Sequence, residues 1–148
     1  MDHAWWVEYI DEVRETFCGA RFSVNDEEKR LGVQTIPKPF TAFGNSGAGA
    51  INFAAHSGAT RILLLGYDCE HTNGKKHWHG DHPRQLGNAN MIHKWGIHFD
   101  RLKESLPANV EIINCSRHTA LKHFERQSLE EALSSGSGGL INRIMAMC

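Results

Sequence analysis

Six of the chain's ten histidines, His71, His77, His79, His82, His93 and His98, fall within twenty-eight residues. The densest part reads His77-Trp78-His79-Gly80-Asp81-His82. Imidazole nitrogens alternating with a carboxylate on a loop can converge on a divalent transition metal. That would make His77, His79, Asp81 and His82 the ligands of a metal-dependent hydrolase or phosphotransferase. The same side chains can instead act on a substrate as hydrogen-bonding or acid–base groups, because imidazole titrates near neutral pH. In an extended loop His77, His79 and Asp81 share one side while His82 turns to the other. The pattern therefore favours a substrate pocket without structural metal. His77 and His79 are expected beside Asp68 and Asn114, and His82 or His93 is expected to face Ser46.

A second chemical feature is the turn Gly44-Asn45-Ser46-Gly47-Ala48-Gly49, which opens an apolar helix. N–H groups at a helix N-terminus attract anions, glycines let a phosphate approach closely, and Asn45 and Ser46 add side-chain donors. The turn matches neither G-x-x-x-x-G-K-[ST] nor G-x-G-x-x-G, since Asn52 stands where the latter needs its third glycine. Its other reading is an Asn or Ser cap with glycines for tight helix–strand packing. Both stay open at the level of sequence.

These groups need a scaffold, and the stretch from Phe43 to Glu70 supplies its centre. A helix from about Ala48 stops at Ser57 and Gly58. The strand Ile62 to Leu65 follows, then a sharp turn at Gly66-Tyr67-Asp68. Ile62-Leu63-Leu64-Leu65 has no polar face, which suits a central parallel strand covered on both sides. In such sheets ligands lie outside the carboxyl ends of the strands, so the Gly44 to Gly49 turn and the segment after Leu65 should share a crevice.

Ahead of this centre, Trp6, Ile10, Val13 and Phe17 recur at helical spacing from an Asp2 cap to a Gly19 stop. Arg21 to Val24 and Leu31 to Ile36 are strand candidates around a solvated loop, Asn25 to Arg30. Beyond the centre, Cys69 to Asn90 reads as a long functional loop. Met91 to Leu106 is helical through Ile92, Trp95, Phe99 and Leu102, and Val110 to Ile113 is a second buried strand. A crossover helix between them makes the two strands parallel neighbours. A short helical piece is expected from Ser116 through Phe124. Ser128-Leu129-Glu130-Glu131 is a capping-box pattern for a helix ending near Leu133.

The expected fold is α/β and Rossmann-like. A mainly parallel sheet of about four strands, flanked by helices, occupies residues 1–133, with the first strand of the fold missing. Residues 134–148 are a flexible linker and a short apolar tail, expected to dock on a neighbour as a homo-oligomer contact or to be poorly ordered. A net charge of -1 provides no global attraction to nucleic acid or membrane. With no signal peptide, no spanning segment and no C-x-x-C among Cys18, Cys69, Cys115 and Cys148, reduced thiols in the cytoplasm are expected.

From Thr41 to Leu133 the order of motifs resembles two related groups. The motifs are Asn45-Ser46-Gly47, an apolar helix, Ile62-Leu63-Leu64-Leu65-Gly66-Tyr67-Asp68, a His-bearing loop, a helix, a strand, Asn114-Cys115-Ser116, Ala120-Leu121 and Phe124. One group is the bacterial lipooligosaccharide sialyltransferases. The other is a set of uncharacterised tailed-phage and prophage proteins, similar in turn to the MptE-like pterin diphosphokinase domain. The resemblance implies a glycosyltransferase-like protein that takes a nucleotide-sugar donor, encoded by a phage or prophage and located in the host cytoplasm. By this resemblance Ser46 and Gly47, helped by Asn45, sit on the nucleotide phosphate, and Tyr67 and Asp68 border the donor pocket; Gly44, Asn114 and Ser116 are further binding candidates. His82, His93, His79 and Asp68 are the catalytic candidates, with His82 or His93 as the base. Those enzymes also place tyrosines after G-x-D to steady the leaving phosphate. No tyrosine follows Tyr67 in this loop, and His77, Lys75 or Lys76 would stand in. A different class, a catalytically silent phage accessory or virion protein, retains the fold without the reaction.

Overall fold

The computed structural model describes residues 3–37, 40–71, 74, 80, 82, 86 and 91–135, and the backbone of 144–146. The chain opens with helix α1, His3–Thr16. Trp6 and Ile10 of its inner stripe are buried against Val33, with Trp5, Val13 and Leu31 around them. Short strands β1, Phe22–Ser23, and β2, Gln34–Thr35, pair in parallel. Between them Asp26–Leu31 forms a 3-10 helix where the sequence suggested a solvated loop. Its first turn carries Asp26, Glu27 and Glu28, and its last turn Lys29 and Arg30, the order that a helix dipole favours. Gly32, at φ 76°, ends it.

Helix α2, Ser46–His56, leads into strand β3, Arg61–Leu65. A 3-10 turn, Ile92–Lys94, precedes helix α3, Trp95–Ser105. Strand β4, Glu111–Asn114, and strand β5, Glu125–Arg126, follow. Helix α4, Leu129–Ser135, and strand β6, Ile144–Ala146, complete the order. β3 and β4 are parallel neighbours, as the crossover helix between them requires, with Ile62 opposite Ile112 and Leu63 opposite Ile113. All pairings in the second sheet are parallel, in the order β5-β4-β3-β6. The architecture is mixed α/β with two small parallel sheets. β6 was not expected as a strand: residues 144–146 of the apolar tail pair with β3 of their own chain.

Side chains alternate across a strand, and here the alternation divides the core in two. Ile62, Leu64 and Ile112 face α2 and α3, packing with Ile51, Ala54, Ala55, Phe99 and Leu102. Leu63, Ile113 and Cys115 face the other way, against Ala132, Leu129 and Leu133 of α4. This double burial explains why β3 carries no polar position between Arg61 and Gly66. At the amino end of the sheet, Arg61 pairs with Glu111 at 2.5 Å and donates to Ser135 of α4 at 2.9 Å. The aromatic pair Phe22 and Phe53, 5.0 Å between centroids, joins the small sheet to α2.

The capping box of α4 forms as its sequence requires. Glu131 N–H donates to Ser128 Oγ at 3.1 Å, and Ser128 N–H donates back to Glu131 Oε2 at 3.0 Å. The helical piece expected from Ser116 to Phe124 does not form. Local side-chain bonds compete with helix there: Thr119 Oγ1 accepts from Leu121 N–H, and Asn114 Oδ1 accepts from Ser116 N–H.

No helix among the described residues is long and apolar enough to cross a membrane. Leu102 is fully buried, whereas Ile97 on the same helix is 56% exposed. Leu102→Ala should therefore cost about 2–5 kcal/mol in urea unfolding, while Ile97→Ala should stay within about 0.5 kcal/mol. Equal losses would place α3 on the sheet through a different face.

Candidate functional site

The turn ahead of α2 is built from two left-handed residues in sequence, Phe43 at φ 55° and Gly44 at φ 74°. Asn45 then caps the helix, its Oδ1 accepting from Ala48 N–H at 3.0 Å. Gly49 N–H reaches the Asn45 carbonyl, so the N–H groups of Ser46 and Gly47 are left without an intrahelical acceptor. Ser46 and Gly44 are exposed. This end of α2 has the donors and the dipole that an anion requires.

The two glycines after the cap serve packing. A Cβ on Gly47 would stand 3.0 Å from Tyr67 Cε1 and 3.1 Å from Asn45 Oδ1, and one on Gly49 would stand 3.1 Å from Ala42 Cα. Gly47 thus makes room for a tyrosine from the far end of β3. The Tyr67 hydroxyl donates to the Gly47 carbonyl at 3.2 Å, which brings the α2 turn and the segment after Leu65 into contact. Burial pushes the Tyr67 hydroxyl well above the usual tyrosine range, with nearby Cys69 adding to the shift. It is a neutral hydrogen-bond donor at physiological pH.

After Tyr67 the chain turns through Asp68 to Cys69, whose φ of 52° is again left-handed. Phe43 and Cys69 are the non-glycine residues at positive φ among the described residues, and they lie on the two segments that Tyr67 joins. Such backbone strain persists where surrounding structure over-determines it, and it concentrates at functional sites. Asp68 is half-buried and its carbonyl accepts from Ala120 N–H at 2.7 Å.

Asn114 and Ser116 hold this edge together from β4. Asn114 is fully buried. Its Oδ1 accepts from Ser116 N–H at 3.1 Å, and its Nδ2 donates to Thr119 Oγ1 at 3.2 Å and to the Leu121 carbonyl at 3.4 Å. Ser116 Oγ accepts from Tyr67 N–H at 2.8 Å, and Thr119 Oγ1 donates to the Tyr67 carbonyl at 2.6 Å. Both polar atoms of the Asn114 amide are therefore engaged within the protein. Asn114 and Ser116 act on the crevice by positioning Tyr67.

Part of the histidine-rich segment is described. His77, His79 and Asp81 lie outside the described residues. His82 is half-buried, and His93 is exposed on the 3-10 turn before α3. The His98 ring reaches the α2 turn: its Cε1 and Nε2 each lie 3.6 Å from where a Gly44 Cβ would stand. His98 Nδ1 is buried and has no hydrogen-bond partner among the described residues. The sequence carried a signal for this, since His98 is three residues after Trp95 and four before Leu102 on the inward stripe of α3. Among the described residues no group of three His, Cys, Asp or Glu could hold a metal ion.

No protein-family model, curated protein or solved structure matches the chain.

Two measurements follow from this geometry. Asn114→Ala removes the partner of three groups packed around a fully buried side chain, and should cost about 1–3 kcal/mol in denaturant unfolding. A neutral result would mean that water replaces the amide. Burial, with Asp68 and Glu70 nearby, pushes the Cys69 thiol up to about 11. Only the thiolate alkylates, so at pH 8 iodoacetamide should label the exposed Cys18 well before Cys69. Cys69 should gain reactivity only as the pH approaches 11. Faster labelling of Cys69 at pH 8 would show an activated thiol.

Proposed function

We propose that the chain is a Rossmann-like, glycosyltransferase-like protein that binds a nucleotide sugar with its phosphate on the N-terminal turn of α2. The observation that carries this reading is the contact of Tyr67 with Gly47, which puts an anion-attracting helix end at the carboxyl end of the inner strand β3. Ligands of open parallel sheets lie at that end. The resemblance to sialyltransferase-type and phage-encoded proteins supports the same reading through Asn45, Ser46, Gly47, Tyr67 and Asp68.

The reaction is a direct displacement at the anomeric carbon. His82 or His93 takes the proton of an acceptor hydroxyl as the new glycosidic bond forms. The bond to the nucleotide phosphate breaks, and its charge is met by the N–H groups of Ser46 and Gly47 and by the Ser46 hydroxyl. His98, beside Gly44, takes the place of the tyrosines that steady a departing phosphate in the enzymes this chain resembles. Asp68 borders the donor.

Gly47 is a poor position for testing this, because any side chain there strikes Tyr67 and Asn45. Ser46→Asp is cleaner: the new carboxylate suits the helix dipole and repels a phosphate. A thermal-shift panel of nucleotides and nucleotide sugars, with and without divalent metals, should find ligands that stabilise the wild type and not the Ser46→Asp variant. His98→Ala should keep binding and lower transfer about 100-fold. Equal stabilisation of wild type and Ser46→Asp would leave the turn with a packing role alone. Stoichiometric zinc in protein purified without chelator, lost in His79→Ala, would favour the hydrolase.

A further inference from the structure

Beyond the α2 turn, the carboxyl edge of the sheet carries a shallow cavity of about 390 Å³, largely open to solvent, at the ends of β4 and β5, lined by Ser116, Arg117, Arg126, Gln127, Ser128 and Glu131 among others. Its charged groups are unevenly committed. Glu131 Oε2 is occupied by the Ser128 N–H and hydroxyl, and these bonds hold its carboxyl below the usual carboxylate range. Gln127 donates its side-chain amide to Glu125 at 2.9 Å. The two arginines have no carboxylate partner among the described residues.

Arg126 is exposed but tethered. Its Nη2 donates to the Ser116 carbonyl at 3.2 Å and to the Arg117 carbonyl at 3.1 Å. Those bonds tie the guanidinium down and leave Nε and Nη1 with no acceptor among the described residues. A guanidinium anchored through one nitrogen and open on the others presents a planar donor edge, with part of its ordering cost already met. Ser116, which lines the same cavity, is buried and its Oγ is taken by Tyr67 N–H, so the arginines are the donors left to a ligand. Arg117 is exposed and its side chain makes no hydrogen bond among the described residues.

We propose that this rim cavity is a second anion site, in which Arg126 and Arg117 hold the phosphate group of a small ligand. A guanidinium fork matches phosphate oxygens in number and geometry. The proposal does not depend on the nucleotide reading of the α2 turn, since it uses none of that turn's donors. Its place at the strand ends, on the rim of the face that packs α4, keeps it apart from α2.

Residue-resolved binding separates the two sites. In a ¹H–¹⁵N spectrum titrated with sodium phosphate against sodium chloride at equal ionic strength, the amides of Ser116, Arg117, Gln127 and Ser128 should shift saturably with phosphate alone. Arg117→Gln removes one guanidinium from an exposed position and should weaken the midpoint about tenfold. Arg126→Lys keeps the charge, loses the fork and should weaken it as well. Ser46→Asp should leave these shifts unchanged, whatever it does at Ser46 to Gly49. Methyl phosphate as a second probe distinguishes the sources: retained binding points to a phosphorylated molecule, and binding confined to the inorganic ion points to free phosphate, either of which upholds the site. Shifts that do not saturate, that chloride reproduces, or that keep the wild-type midpoint in Arg117→Gln would overturn it.

Discussion

Three hydrogen bonds to other described residues hold Tyr67, and the geometry of the crevice depends on all of them. Its N–H goes to Ser116, its carbonyl takes the Thr119 hydroxyl, and its side-chain hydroxyl crosses to the Gly47 carbonyl. Each bond reaches a different stretch of chain: the end of β4, the loop beyond it and the first turn of α2. A buried network in which every member is satisfied gives rigidity, whereas one missing partner leaves a costly group behind. The cost of this arrangement appears in the backbone, where Phe43 and Cys69 occupy left-handed conformations on either side of the bridge. Gly47 is small for the same reason, because the ring needs the space its side chain would fill.

Much of this scaffold was legible from residue order. The apolar run Ile62 to Leu65, the helix marked by Trp95, Phe99 and Leu102, and the capping box at Ser128 and Glu131 all follow local rules, and local rules hold where burial and hydrogen bonding agree. The parallel pairing of β3 with β4 followed from the crossover helix between them. The failures have physical causes. Residues 116–124 lack a helix because the side chains of Asn114 and Thr119 offer the main chain better partners than a helix would, a competition that spacing alone does not reveal. β6 was hidden because a three-residue strand beside a glycine-rich stretch carries too short a pattern to read.

The site was legible in part. Asn45 and Gly47 stood out as turn residues, and the structure gives both definite local duties, one as a cap and one as a platform for Tyr67. Asn114 and Ser116 stood out for their motif and are engaged in internal hydrogen bonds. The histidine at the turn was missed because attention to clustering favours the dense loop, whereas position on a helix face selects His98. The arginines of the rim cavity were missed for a related reason: Arg117 and Arg126 are nine residues apart, and only the pairing of β5 with β4 brings them to one rim.

The pairing of β6 with β3 bears on how the protein is made. Leu63 and Ile144 are bonded neighbours in the sheet but lie far apart in the chain. While a ribosome is still producing the intervening residues, β3 can take β4 on one side and nothing on the other. One of the most apolar strands of the molecule therefore has an open edge for as long as residues 144–146 are absent, and open apolar edges recruit other chains. Interrupted synthesis, or clipping within the glycine- and serine-rich stretch before β6, would thus release a species inclined to self-associate.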